Sequence, residues 1–342
     1  MTSTSRLGVV IVFAAYLAIL AIAVRIGYAP LSAALPLALA AAPVVLVGLW
    51  EDLTFNVRPR YRMGAAVVSG ALASAFAGGV IPRLDLPLID DLLAYAWIAL
   101  PLTWFMVAGS CNAMNLIDGV NGLAGGTALV MFGGIAAAAG WSQDPVTLVE
   151  ALAMMGALAG FMLWNYPRGW VFLGDAGAYF IGFMYAQLSI RLVARNDDIS
   201  AWYVILLAAY PIVDTLFAMY RRGIVRHTPL MSPDALHLHS LIFRRVAMPI
   251  ERRQSEVSIQ RANARVAPRL WLHSAACLAL AVLFYADTPL IWMCIAVYAL
   301  FYVHRYRTLV RFGRTRTRQL TEALKDANNE AKESVSSQFR QP

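Results

Sequence analysis

Charge is scarce in this 342-residue sequence: Asp, Glu, Lys and Arg make up 14% of it, against 60% hydrophobic residues. A soluble domain averages about 25% charged and about 45–50% apolar residues, so a globule surrounded by water is excluded. Cysteine is almost as rare. Cys111, Cys277 and Cys294 have no paired spacing, which excludes a disulfide framework and a cysteine zinc site and leaves three small packing residues. No repeat of fixed period is present, so the chain reads as one principal domain.

What the sequence does have is a succession of apolar runs, with a mean hydropathy of +0.61. Runs near 20 residues can cross a bilayer core of about 30 Å. They predict an all-α, polytopic membrane protein of about ten transmembrane helices, at 8–27, 31–50, 64–82, 92–110, 123–141, 148–165, 177–194, 201–219, 268–286 and 289–304. The first run has only Arg6 as a basic lead and no convincing cleavage pattern, so it is expected to be a retained span rather than a signal peptide.

The net charge of +8 is unevenly spread. Alternate loops carry Arg58, Arg60, Arg62, Arg168, Arg221, Arg222 and Arg226, then the arginines between 244 and 265 and the stretch Arg305 to Arg318. The other loops hold chiefly Arg83 and Arg195 beside Asp85, Asp90, Asp91, Asp144, Asp197 and Asp198. The positive-inside rule puts the arginine-rich set and both termini in the cytoplasm. Arginines flanking membrane spans need only anionic lipid, so no nucleic-acid partner is expected. The expected organisation is a membrane domain over 1–304, a long cytoplasmic excursion at 220–267, and a basic tail at 305–342 that starts as an interfacial helix.

Four polar clusters fall on the arginine-rich side. Glu51-Asp52 follows the second span, ahead of Arg62. Asn112-Ala-Met-Asn115-Leu-Ile-Asp118-Gly-Val-Asn121-Gly122 brings a carboxylate, amides and glycines to a place where a membrane helix is expected to end. Polar groups there are costly near lipid and mark substrate or ion sites; glycines let backbone N–H groups approach a ligand. Phe172-Leu-Gly174-Asp175-Ala-Gly177 places an aspartate at a helix entrance, where it could cap the helix or recruit a cation bridging to phosphate. Ser232-Pro-Asp234-Ala-Leu-His237-Leu-His239-Ser240 follows Asp214 and Arg221-Arg222, and its histidines suit phosphate better than zinc. Each cluster alone has a plain reading as a cap or turn. Together, on one side of a charge-poor protein, they describe a pocket for a magnesium-bound phosphate substrate, open to a lipid co-substrate.

These motifs, in this order, resemble the polyprenyl-phosphate N-acetylhexosamine-1-phosphate transferases, the superfamily that includes phospho-N-acetylmuramoyl-pentapeptide translocase. The similarity runs from about Arg6 to about Arg305. Asn115-Leu-Ile-Asp118-Gly-Val-Asn121-Gly-Leu-Ala is its most specific part, with the Asp175 motif, Pro211-Ile-Val-Asp214-Thr, Arg221-Arg222 and the histidine loop following. The resemblance implies transfer of a sugar 1-phosphate, GlcNAc-1-phosphate foremost, from a UDP-N-acetylhexosamine to undecaprenyl phosphate in the bacterial cytoplasmic (inner) membrane. UMP would be released, to initiate a surface glycan of O-antigen or capsule type. It implies Mg2+, with Mn2+ as a substitute, held by Asp175 and Asn115. Asp52, with Glu51, would serve as base or position the lipid phosphate. Asp118, Asn121 and Gly122 would organise the nucleotide and diphosphate; His237, His239, Arg62, Arg222 and Asp234 would contact substrate. A homodimer stays open.

The sequence departs from the family at four places. Glu51 stands for the usual first Asp of a pair, Asn121 for an Asp, and Ser240 for a further histidine. The family's first span and basic loop, ending in Gly-Gly, have no counterpart before Arg6-Leu-Gly8-Val9; the expectation is a misassigned start or a site lacking part of its lining. An inactive scaffold or lipid-phosphate binder is the alternative. A transporter is disfavoured, because no inverted repeat is visible and the polar clusters lie at one face.

Overall fold

The computed structural model describes residues 6–228, 236–248 and 255–311. It is 80% helical. The helices are α1 (Gly8–Arg25), α2 (Leu31–Ala40), α3 (Ala42–Thr54), α4 (Pro59–Phe76), α5 (Pro87–Leu93), α6 (Ala96–Ile117), α7 (Leu123–Trp141) and α8 (Pro145–Asn165). There follow α9 (Gly174–Arg195), α10 (Ala201–Leu207), α11 (Ala209–Tyr220), the short α12 (Leu238–Ile242), α13 (Glu256–Ala264), α14 (Ala267–Leu283) and α15 (Thr288–Arg311).

The protein is an all-α, multi-pass membrane protein. Among the described residues seven helices are long and apolar enough to cross a bilayer, and the bent pair formed by α10 and the following helix makes an eighth. Two of the expected spans, α4 and α9, are long enough but too polar to qualify on composition. For α9 the packing explains why: 18 of its 22 residues are buried. It runs through the middle of the bundle against α1, α3, α6 and α7, so protein rather than lipid surrounds it and its sequence need not be uniformly apolar.

Proline accounts for the irregular spans. The second expected span breaks at Ala41, just before Pro43, because a proline ring clashes with the carbonyl four residues back and offers no N–H. The eighth bends by 77° at Ala208, where Pro211 follows. The fourth span runs to Ile117 rather than 110, which moves Asn112 and Asn115 from a loop into the last two turns of a helix. The final helix continues to Arg311, beyond the expected boundary at 304.

Exposed aromatic side chains mark both ends of the bundle, as expected where a membrane meets water. Trp50, Tyr61, Trp164, Trp170 and Tyr220 lie at one end; Tyr95, Trp97, Trp141, Tyr285 and Trp292 lie at the other. The helix α9 connects the two, and at 1.5 Å per residue its 22 residues span about 33 Å.

Candidate active site

The C-terminal ends of α3, α6 and α8 and the N-terminal ends of α1, α4, α7 and α9 converge at the first of these ends. Asp175, in the first turn of α9, is their meeting point. Its carboxylate accepts a hydrogen bond from the Asn115 side-chain amide of α6 at 3.0 Å and pairs with the Arg62 guanidinium of α4. Asp52, buried on α3, accepts from the backbone N–H groups of Asp175 (2.9 Å) and Ala176 (3.0 Å). Residues separated by more than 120 positions thus meet within hydrogen-bonding distance.

Beside Asp175 lies a cavity of about 290 Å³, lined by both carboxylates, Asp118 and Asp175, by Asn115, Asn121 and Asn263, and by Arg6. Asp118 stands where α6 ends. Burial pushes its carboxyl up to about 7, with the nearby Asp52 raising it further and Arg6 opposing. Arg6 also stacks on Phe55, its guanidinium carbon 4.7 Å from the ring centre. Its chain is held there because the Gly8 N–H donates to the Phe172 carbonyl at 3.0 Å.

The stretch 118–122 is arranged differently from the sequence expectation. Four of its five backbone N–H groups are engaged within the protein: Asp118 donates to Asn115, Gly119 to Ile117, Asn121 to the Asn263 side chain (2.7 Å) and Gly122 to the Asn165 side chain (2.6 Å). The Asn121 amide donates to the Pro167 carbonyl at 3.1 Å. These bonds tie the loop to α6, α8 and α13.

The histidine arm is anchored from α11 and α15. Asp214 accepts from His237 Nδ1 (2.6 Å), from the Leu238 N–H (3.2 Å) and from the Tyr302 hydroxyl (2.5 Å). The His237 and His239 rings stack, 5.7 Å apart and nearly parallel. His239 presses against Gly119, where a side-chain carbon would lie 2.3 Å from its Nε2. Burial lowers the His239 pKa to about 4; Asp214 opposes the shift and His237 adds to it, so the ring is neutral at pH 7.

Other expected site residues lie elsewhere. Glu51 turns away and accepts the Val57 N–H at 2.6 Å, closing the turn between α3 and α4. Arg222 is buried at the foot of α11, its Nε donating to Ala218, and does not line the cavity. Asp234 lies outside the described residues. Asn165 and Asn263 also belong to the site's framework, and as isolated amides they carry no readable motif; Asp214, legible in Pro211-Ile-Val-Asp214-Thr, anchors the histidine arm.

Asp175 and Asn115, in contact with each other and lining the cavity, are hard oxygen donors of the kind that fit a divalent cation with water among its further ligands. The Arg62 guanidinium seated on Asp175 shows that this carboxylate draws positive charge. Among the described residues no group of three or more His, Cys, Asp or Glu forms a closed metal cage.

The fold and site together define a class: a multi-pass helical membrane protein with a polar, carboxylate-lined cavity at one end of its bundle. Residues 34–193 match glycosyl transferase family 4. It is 29% identical over 202 residues to a probable undecaprenyl-phosphate N-acetylglucosaminyl 1-phosphate transferase of Bacillus subtilis (strain 168), covering 57% of this chain and 54% of the relative. A phospho-N-acetylmuramoyl-pentapeptide-transferase of Frankia casuarinae is 30% identical over 199 residues, 52% of this chain and 54% of the relative. An undecaprenyl-phosphate alpha-N-acetylglucosaminyl 1-phosphate transferase of Yersinia pestis is 29% identical over 209 residues, 59% and 56% respectively. The chain spans about half the length of the curated relatives it matches.

Proposed function

We propose that the protein transfers an N-acetylhexosamine 1-phosphate, GlcNAc-1-phosphate foremost, from a UDP-sugar to undecaprenyl phosphate and releases UMP. The reading places the site on the cytoplasmic side of a bacterial inner membrane, with both termini on that side and a surface glycan of O-antigen or capsule type as the end product. One observation carries it: Asp175, held by Asn115 and Arg62, shares one cavity with Asp118 and Arg6 at the end of a membrane bundle. The relatives' names, which specify 1-phosphate transfer to undecaprenyl phosphate, support the same reading.

In this mechanism an oxygen of the lipid phosphate forms a bond to the β-phosphorus of the donor. The bond from that phosphorus to the bridging oxygen breaks, and UMP leaves with the electron pair. Bound Mg2+ supplies charge neutralisation of the diphosphate and of the leaving oxygen. Asp175 and Asn115 would hold it. Arg6 sets a fixed positive charge against the phosphates, Asp118 orients the donor, and the neutral His239 ring closes the wall beside Gly119. Holding both phosphates in line is the larger contribution, because transfer between two bound reactants avoids the entropy of their encounter.

Purified protein given undecaprenyl phosphate, Mg2+ and a panel of UDP-N-acetylhexosamines is expected to release UMP. Asp175→Ala should reduce that release by about 10³-fold, the order of loss when a principal charge-stabilising group is removed. No UMP from any donor would sink the proposal and leave a lipid-phosphate binder without catalysis.

A further inference from the structure

The helix α9 starts without a cap of its own. Leu173 occupies the cap position and makes no side-chain cap bond, while the first turn of any helix leaves backbone N–H groups without intrahelical partners. Two of those N–H groups, on Asp175 and Ala176, donate to the two carboxylate oxygens of Asp52, at 2.9 and 3.0 Å. The cap therefore comes from another helix. Gly48 makes this approach feasible: a side-chain carbon there would lie 2.3 Å from Ala176 Cα, so α3 and α9 meet backbone to backbone. Asp52 is one turn further along the same face of α3 and reaches the start of α9. Gly174 has a φ of +75°, and a side-chain carbon on it would lie 2.5 Å from the Asp52 carboxylate. The Leu-Gly-Asp order thus leaves room for that carboxylate, and the helix dipole favours its negative charge.

A general base must reach the proton it removes, at about 2.6–3.2 Å. Asp52 is 5% exposed, does not line the cavity, and directs its oxygens to the backbone of α9. We propose that Asp52 is a positioning residue: it caps α9 from α3, fixes the Asp175 carboxylate toward the cavity, and takes no proton from the substrate. The proposal rests on the transferase reading only for the use of Asp175 as a cation ligand.

The test uses the full chain in lipid nanodiscs, with Mn2+ as the probe. Mn2+ binding is read by electron paramagnetic resonance in the presence of UDP, alongside deuterium exchange of the peptide containing Asp175 and Ala176. Asp52→Asn, which keeps one accepting oxygen, should weaken Mn2+ binding about tenfold, as loss of a residue that orients a ligand does. Exchange at the start of α9 should quicken, and saturating Mg2+ should restore UMP release. Asp52→Ala should show the same pattern more strongly; if it fails to fold, Asp52→Asn carries the test alone. Unchanged Mn2+ affinity, unchanged exchange, or UMP release lost at every Mg2+ concentration would overturn the proposal. If the parent protein binds no Mn2+ and releases no UMP, the transferase reading fails, and amide exchange still decides whether Asp52 caps α9.

Discussion

The neighbours Glu51 and Asp52 show how much one helical step changes. Successive residues on a helix point about 100° apart, so Glu51 closes its own turn while Asp52 reaches α9. A sequence shows such a pair as a unit; only the packed helix separates the two. The His239 ring offers a test at the same scale. Its folded pKa, about 4, lies below the ordinary 6.5, so the unfolded chain binds the extra proton first as pH falls. The stability due to the neutral ring is complete above pH 6.5 and is lost between about 6.5 and 4. With 1.36 kcal/mol per pKa unit the loss is at most about 3 kcal/mol. Thermal unfolding of wild type and His239→Gln in detergent, compared from pH 7 to 4.5, should show a shallower acid limb in the variant. Parallel limbs would show that His239 does not contribute.

Among the elements, α9 carries Asp175 and runs buried through the bundle. Its sequence reads as a moderately polar run, and the expected span 177–194 omitted the first turn, where Asp175 sits. Hydropathy identifies helices that face lipid, whereas α9 faces other helices. The Gly174-Asp175 motif, by contrast, was legible because it combines an acid with a required backbone conformation. Gly182 pins α9 to α6: a side-chain carbon there would lie 2.5 Å from Cys111 Cα and 2.6 Å from the Ser110 carbonyl. Cys111 is one turn before Asn115. Gly182→Ala is therefore expected to cost about 1–3 kcal/mol by overpacking and to loosen the Asn115–Asp175 contact. Gly109→Ala, which meets nothing within 4 Å, should leave the melting temperature nearly unchanged. Equal melting temperatures for the two variants would argue against this packing of α6 on α9.

For the whole molecule, the charge pattern separates two ends that the structure keeps apart. Opposite the cavity, Asp85 accepts from the Ala201 N–H at 2.6 Å and from Ser200 at 3.1 Å, and pairs with Arg83, clasping the turn after α4 to the start of α10. Burial would raise the Asp85 pKa, but these bonds, that from Ala201 foremost, hold it below the usual carboxylate value. Nearby, a buried Glu150–Arg191 pair at 2.7 Å ties α8 to α9 inside the bundle, a polar contact that the apolar runs concealed. The multi-pass helical outline was readable from the apolar runs. Which groups touch was not, because the partners are far apart in sequence and joined only by packing. Orientation is testable on intact cells with a membrane-impermeant maleimide: Asp197→Cys should label and Arg60→Cys should not. The reverse pattern would turn the protein over in the membrane.

The anchor of the histidine arm also has a bearing on biosynthesis. Asp214 takes its third hydrogen bond from Tyr302, and Arg221 reaches Tyr306 at 2.9 Å; both tyrosines lie on α15, the last helix described. A ribosome makes this chain from the other end, so the Tyr302 bond to the carboxylate that holds His237 forms only after α15 has been made. Until then Asp214 lacks one of its three hydrogen bonds, whereas the bonds that hold Asp175 and Asp52 involve only earlier helices.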